Sequence, residues 1–241
     1  FQHFKNIEKK YRAKKIVGNK IPSLLLQKVA SNADIVLDLH TGPKATNYIY
    51  SAEHQSESVQ NFNFPYVVNI PPEFAGAMDE ATFCPWVNLN KSLLKLGKHT
   101  PIDFESYTIE LGNEETINLQ NAHESANNIL SYLFFKKIIK EQIKINQTKQ
   151  IHCKLESFVT YNAPFGGLYE FTRSPGEFVK KGETLAKYFN LKDIKSSEDL
   201  DFSIKHINAT NDCYVINHGT SGSIMQGMEI YQVMESFNQV L

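Results

Sequence analysis

The spacing of apolar positions along this chain changes from helical and continuous in its first three-fifths to short and alternating in the rest. From Ile21 to Ser31, Leu24, Leu25, Leu26 and Val29 form an apolar stripe at helical spacing, with Pro22 suited to a first helical turn. The run Asp34-Ile-Val-Leu-Asp-Leu-His40 predicts a buried parallel strand, stopped by the turn signal Thr41-Gly42-Pro43. Tyr48-Ile-Tyr50, Tyr66 to Ile70 and Ser106 to Leu111 predict further strands, the last ended by Gly112-Asn113. The polar stretch from Ser51 to Phe64 reads as a surface excursion. Ala81 to Leu96 reads as helical in part, with Pro85 complicating its start. Thr116 to Ile143 carries a long helical pattern that turns Ile129, Leu130, Leu133, Phe134 and Ile138 inward. The charged stretch Lys5 to Lys15 reads as a solvated helix or a disordered lead-in. This alternation predicts a layered α/β domain over residues 1–147.

The texture changes near Asn146-Gln-Thr-Lys149, and residues 148–241 predict a separate all-β module. An internal repeat runs through it. Gly176 to Leu185 aligns with Ser221 to Ile230 at an offset of 45 residues, which also aligns Tyr169 with Tyr214. Each unit reads as strand, glycine turn, strand, and two such units predict a small pseudo-symmetric β-barrel or sandwich.

Composition narrows the function. Hydrophobic residues make up 41% of the 241 positions and charged residues 21%, enough for a packed core. The net charge of -1 lacks the basic excess of a nucleic-acid binder. Arg12 and Arg173 are the only arginines, so bidentate recognition of a carboxylate is limited to them. Three cysteines without CxxC spacing fit a reducing, cytoplasmic compartment, and no apolar run is long enough to predict a membrane span. A chain that begins with Phe1 reads as a fragment or a processed product.

Two short motifs hold the candidate chemistry. In Asp38-Leu-His40-Thr-Gly42, His40 stands at the end of a predicted strand, the edge where open α/β sheets bind ligands. It can ligate a metal or close a strand-end turn. Asp38 shares its strand face. In Tyr107-Thr-Ile-Glu110-Leu-Gly112, Glu110 lies in an apolar strand, where a carboxylate is either paired, poised as a general base, or turned to solvent. His54 reads as a solvated loop histidine with accessory-ligand potential. His123 reads as facing water, Ala81 to Trp86, which follows Asp79-Glu80, as a loop-like segment able to border a pocket, and Cys84 as a packed thiol.

Taken together, Asp38 to Gly42, Tyr107 to Gly112 and the glycine-turn β-module, opened by Asn162-Ala-Pro-Phe-Gly-Gly167-Leu, resemble the succinylglutamate desuccinylase/aspartoacylase family of the zinc carboxypeptidase clan. The similarity is spread over most of residues 19 to 235. The resemblance implies a zinc-carboxypeptidase-like layered α/β/α domain, its N-terminal part absent from this chain, followed by a β-barrel-like domain. It also implies zinc-dependent hydrolysis of an amide bond in a small acylated amino compound. His40 matches the strand-end zinc ligand and Glu110 the residue that activates the metal-bound water. The HxxE pair that supplies the family's other ligands has no counterpart before His40: His3 is followed by Asn6 at that spacing. The carboxylate-binding arginine and the asparagine have no recognisable counterpart either. Metallocarboxypeptidase action on peptides and a non-catalytic binding module are the alternatives. The expected partners are a small-molecule substrate and a possible second copy of the chain, with neither nucleic acid nor membrane. In the β-module, Asn208 to Cys213 carries no lysine, which argues against a biotinyl- or lipoyl-type carrier.

Overall fold

The computed structural model describes residues 20–141, 148–190, 192, 194–199 and 203–240. The lead-in read at Lys5 to Lys15, together with His3 and Arg12, lies outside the described residues, as do residues 142–147 beside the expected domain boundary. No helix among the described residues is long and apolar enough to cross a membrane.

The fold is mixed α/β. Its first sheet joins β1 (Ile35–Gly42), β3 (Asn47–Ala52), β4 (Tyr66–Ile70), β5 (Glu105–Asn113), β6 (Gln150–Lys154) and β15 (Asn238–Val240). Their order across the sheet is β1-β5-β3-β4-β6-β15. β4 and β6 run parallel with Tyr66 opposite Ile151, and β15 returns antiparallel to β6. Two strands from beyond residue 148 therefore belong to the same sheet as the earlier ones. β1 was expected to be buried. It is the end strand of this sheet, half-buried to exposed along its length, with Leu39 55% exposed, because one edge has no neighbour among the described residues.

The described residues divide into two compact units. One comprises residues to Asp38, Ser51–Gln55 and Pro71–Thr108, the other Leu39–Tyr50, Ser56–Ile70 and the residues from Ile109 onward. The first unit carries helices α1 (Lys20–Ala30) and α3 (Met78–Lys95). The stripe on α1 is turned outward at Leu26 and Val29, 60% and 72% exposed. Pro85 does not delay α3, which begins seven residues earlier. A proline inside a helix leaves the carbonyl four residues back without its usual donor. Here that carbonyl is Ala81 O, and the Gln27 side-chain amide of α1 donates to it at 2.9 Å. Ser106 and Thr82, both buried in this unit, are paired as burial demands: Ser106 exchanges two hydrogen bonds with the Gln55 side chain, and Thr82 Oγ1 donates to Ser106 Oγ at 2.7 Å.

In the second unit the stretch read as a surface excursion is part of the core. After the short helix α2 (Ser56–Val59), Val59, Phe62 and Phe64 are fully buried. Phe62 stacks on Tyr132 of α4 (Leu119–Phe135), ring centroids 3.9 Å apart and nearly parallel at 10°. α4 ends earlier than its pattern predicted, so Ile138 lies beyond it and is 57% exposed.

The same unit carries the repeat in full. β7 (Phe158–Asn162), β8 (Gly167–Phe171), β9 (Phe178–Val179) and β10 (Thr184–Phe189) correspond in order to β11 (Ile204–Asn208), β12 (Cys213–His218), β13 (Ser223–Ile224) and β14 (Glu229–Glu235). One sheet reads β11-β10-β8-β13. The other reads β7-β14-β12, with β9 also on β12 and the two-residue β2 (Lys44–Ala45) added to it. Exchanging the two repeats converts one order into the other, so each unit lends its first and third strands to the other's sheet. The turn glycines obey the same exchange, Gly182 and Gly227 both adopting positive φ, at 88° and 83°. Val179, Leu185, Val215, Ile230 and Val233 fill the core between the sheets.

Gly167 fixes how closely β8 and β10 approach. A Cβ there would stand 2.3 Å from the Phe189 carbonyl oxygen, a backbone atom that cannot swing aside. Gly167→Ala is expected to destabilise the protein by about 1–3 kcal/mol or more through overpacking, read as a lowered denaturant midpoint; an unchanged midpoint would contradict this packing.

Candidate active site

His40 is an exposed residue near the end of β1, and Glu110 lies half-buried in β5 with its Oε2 atom sealed from solvent. β1 and β5 are neighbours in the sheet. Leu39 of β1 and Leu111 of β5 line one cavity and so share a face, which leaves the residues on either side of each, Asp38 and His40 with Glu110 and, one step further, Thr108, on the opposite face. The cavity measures about 1310 Å³ and is also lined by Asn47, Asn113 and Asn121. Neither His40 nor Glu110 lines it.

The second unit also holds an aromatic cluster in which Tyr48 is buried and Tyr50 and Phe158 are half-buried. The Tyr48 hydroxyl is hydrogen-bonded with the Tyr50 hydroxyl and the Asn217 amide, and it feels the charge of Glu110. Burial, then Tyr50 and the Glu110 charge, push the Tyr48 phenol far above its ordinary range, so it stays neutral. Phe158 closes over both tyrosines, its ring centroid 5.8 Å from that of Tyr48 and 6.0 Å from that of Tyr50. The sequence pattern marks both tyrosines as strand residues and assigns them no role in a site. The usable signal was that Tyr48 and Tyr50, two apart in a strand, must share a face.

His54 is exposed in a 3-10 turn with its ring 5.6 Å from Phe83. His123 is exposed on α4, as expected. Ala81 to Trp86 is not a loop: it lies within α3, whose first turn holds Asp79 and Glu80, both buried. Glu80 Oε2 accepts the backbone N–H groups of Ala75, Gly76 and Ala77 at 2.7, 2.9 and 3.0 Å, which holds the entry to the helix. Burial raises the Asp79 carboxyl above the ordinary carboxylate range against the Glu80 N–H and Thr108. All three cysteines are free and buried. Burial, then the neighbouring Glu80 and Asp79 charges, push the Cys84 thiol up, as expected of a packed thiol rather than a nucleophile. Burial pushes Cys153 and Cys213 up to about 12. Arg173 is spent on its own turn, with Nη1 2.7 Å from Glu177 Oε1 and Nη2 3.5 Å from Glu183 Oε2.

Among the described residues no three or more His, Cys, Asp or Glu side chains come together as a metal-binding group. A catalytic zinc site takes three protein ligands. The described residues offer His40 and do not complete such a set.

No family model matches the chain, and no curated protein matches it. Solved structures do. A protein of Shewanella frigidimarina NCIMB 400, designated a succinylglutamate desuccinylase/aspartoacylase, is 36% identical and superposes with a TM-score of 0.83 over 90% of this chain and 57% of its own. A family protein of Shewanella amazonensis SB2B is 28% identical with a TM-score of 0.81, over 97% of this chain and 71% of its own. The ectoine utilization protein EutE (DoeB) of Ruegeria pomeroyi, 20% identical over 91% of this chain and 66% of its own, shares the fold with a TM-score of 0.66. The chain thus spans just over half the length of the first of these proteins. Identity at that level across nine-tenths of the chain, on the same fold, places this chain in the succinylglutamate desuccinylase/aspartoacylase family.

Proposed function

We propose that the protein hydrolyses the amide bond of a small N-acylated amino compound, with Glu110 as the general base. The observation that carries this reading is the projection of His40 and Glu110 from one face of neighbouring strands, in a chain of this family. Glu110 takes a proton from the attacking water, whose oxygen bonds to the acyl carbon. The carbon–nitrogen bond then breaks, and the same carboxyl returns the proton to the leaving amine. The products are a carboxylic acid and a free amine.

Zinc belongs to this reading as a cofactor of the whole protein, with His40 as one ligand. When bound, such an ion polarises the acyl carbonyl and acidifies water. The described residues do not complete its ligand set.

Two measurements test the reading. A panel of N-acyl amino acids, followed by appearance of free amine, is expected to give turnover; C-terminal peptides are expected to give none. In protein isolated with its metal, His40→Ala is expected to weaken zinc binding by at least about tenfold, the loss seen when even an outer partner of a ligand is removed. Elemental analysis reads the occupancy, and undiminished zinc would remove His40 from the ligand set.

A further inference from the structure

Trp86, Leu89, Asn90 and Leu93 recur at helical spacing along α3 and so fall on one side of it. That side meets the residues that lead into β1 and β5. Trp86 stacks on Phe104, the residue before β5, with ring centroids 5.9 Å apart at 25°. The Glu105 N–H donates to the Asp34 carbonyl at 3.1 Å, which ties the two strand starts together. These residues border a cavity of about 280 Å³ that belongs wholly to the first unit. It lies at the starts of the strands, not at the end of β1 that carries His40.

The wall of this cavity is largely apolar. Phe104 is buried, whereas Trp86 and Leu89 are 41% and 48% exposed and leave apolar surface open. Among the described residues that line it, Asp34 and Asp103 alone carry charge, both negative and both exposed. Asn90 adds a further acceptor: its Oδ1 is buried without a hydrogen-bond partner among the described residues. An unpaired buried acceptor is costly, and rotation about the last torsion of an asparagine is soft.

We propose that this cavity binds a small organic cation, an ammonium group carried on an apolar body. The two carboxylates repel an anion, and a neutral apolar guest leaves them unused. A cation engages both parts of the wall. Its ammonium lies over the indole, the best of the aromatic rings for a cation, with the carboxylates beside it. Its apolar body covers Leu89 and Leu93. The Asn90 oxygen, held by no hydrogen bond, turns to accept from the ammonium. The volume falls just under the ~300–1,000 Å³ of usual ligand pockets, which limits the guest to a small molecule.

Trp86 is the only tryptophan of the chain, so its fluorescence reports on this cavity. In the full chain, phenethylammonium is expected to shift the Trp86 emission saturably, with a Kd at least about tenfold below that of phenethyl alcohol; hydrocinnamate is expected to give no saturable shift. Equal affinity for the ammonium and the alcohol, or no saturable shift with either, overturns the proposal. Asp34→Asn combined with Asp103→Asn is expected to weaken the ammonium about tenfold and to leave the alcohol within about twofold. An ammonium affinity unmoved by that pair overturns it as well. Nα-acetyl-lysine methylamide, standing for a lysine of a partner protein, is expected to bind at least about tenfold more weakly than phenethylammonium. The opposite order would overturn the assignment to a free small molecule.

Discussion

Glu110→Gln is expected to lower the turnover of N-acyl amino acids by about a hundredfold to ten-thousandfold, the range general-base removal usually spans. The substitution keeps the shape of the side chain and removes its ability to take a proton, so circular dichroism and thermal unfolding are expected to stay close to those of the parent protein. Zinc content is expected to hold as well, because the carboxylate is assigned to the water and not to the ion. The three readings separate the alternatives. Lost turnover with retained fold and retained zinc is the signature of a base. Lost zinc would make Glu110 a ligand. Undiminished turnover would remove it from the mechanism.

Phe62→Ala is expected to cost about 3–5 kcal/mol, the usual range for deleting a buried phenyl ring. Phe62 has no exposed surface, and its stack on Tyr132, at 3.9 Å and 10°, joins the segment after α2 to α4. Aromatic pairs add about 0.5–1.5 kcal/mol beyond the area they bury. Chemical denaturation is expected to show a lowered midpoint with the slope retained. A loss below 1 kcal/mol would mean that this segment is not part of the core.

Phe62 also shows what could be read from the sequence and what could not. Polar residues dominate Ser51 to Phe64, so the stretch looked like surface, yet its few apolar residues and Gln55 all turn inward. A tally of polarity misses a segment whose apolar residues are sparse and aligned. Pro85 misled in a different way. The penalty of a helical proline is local, whereas its relief, the Gln27 amide on Ala81 O, comes from another helix and leaves no local trace. Ala81 to Trp86 looked loop-like, yet it continues a helix whose buried first turn holds Asp79 and Glu80, where Glu80 serves three backbone N–H groups.

The strands around His40 and Glu110 were legible, because a short apolar run ended by glycine is an unambiguous signal in β5 and nearly so in β1. The repeat was legible for the same reason that it is structural: turn glycines recur at fixed spacing, since each hairpin needs one at positive φ. Its consequence, strands exchanged between repeats, depends on pairing partners that no local pattern specifies. The contact between Tyr48 and Asn217 was invisible for that reason too. They lie far apart in sequence, and only the sheet order brings their side chains together.

The separation of the His40 imidazole and the Glu110 carboxylate, measured in an experimental structure, tests the account most directly. The account predicts both side chains on the Asp38 and Thr108 face. It predicts a nitrogen-to-oxygen distance of at most about 7 Å, the reach of an imidazole–zinc bond, a zinc–oxygen bond and a hydrogen bond laid end to end. Side chains on opposite faces of the sheet, or a gap well beyond that reach, would contradict it.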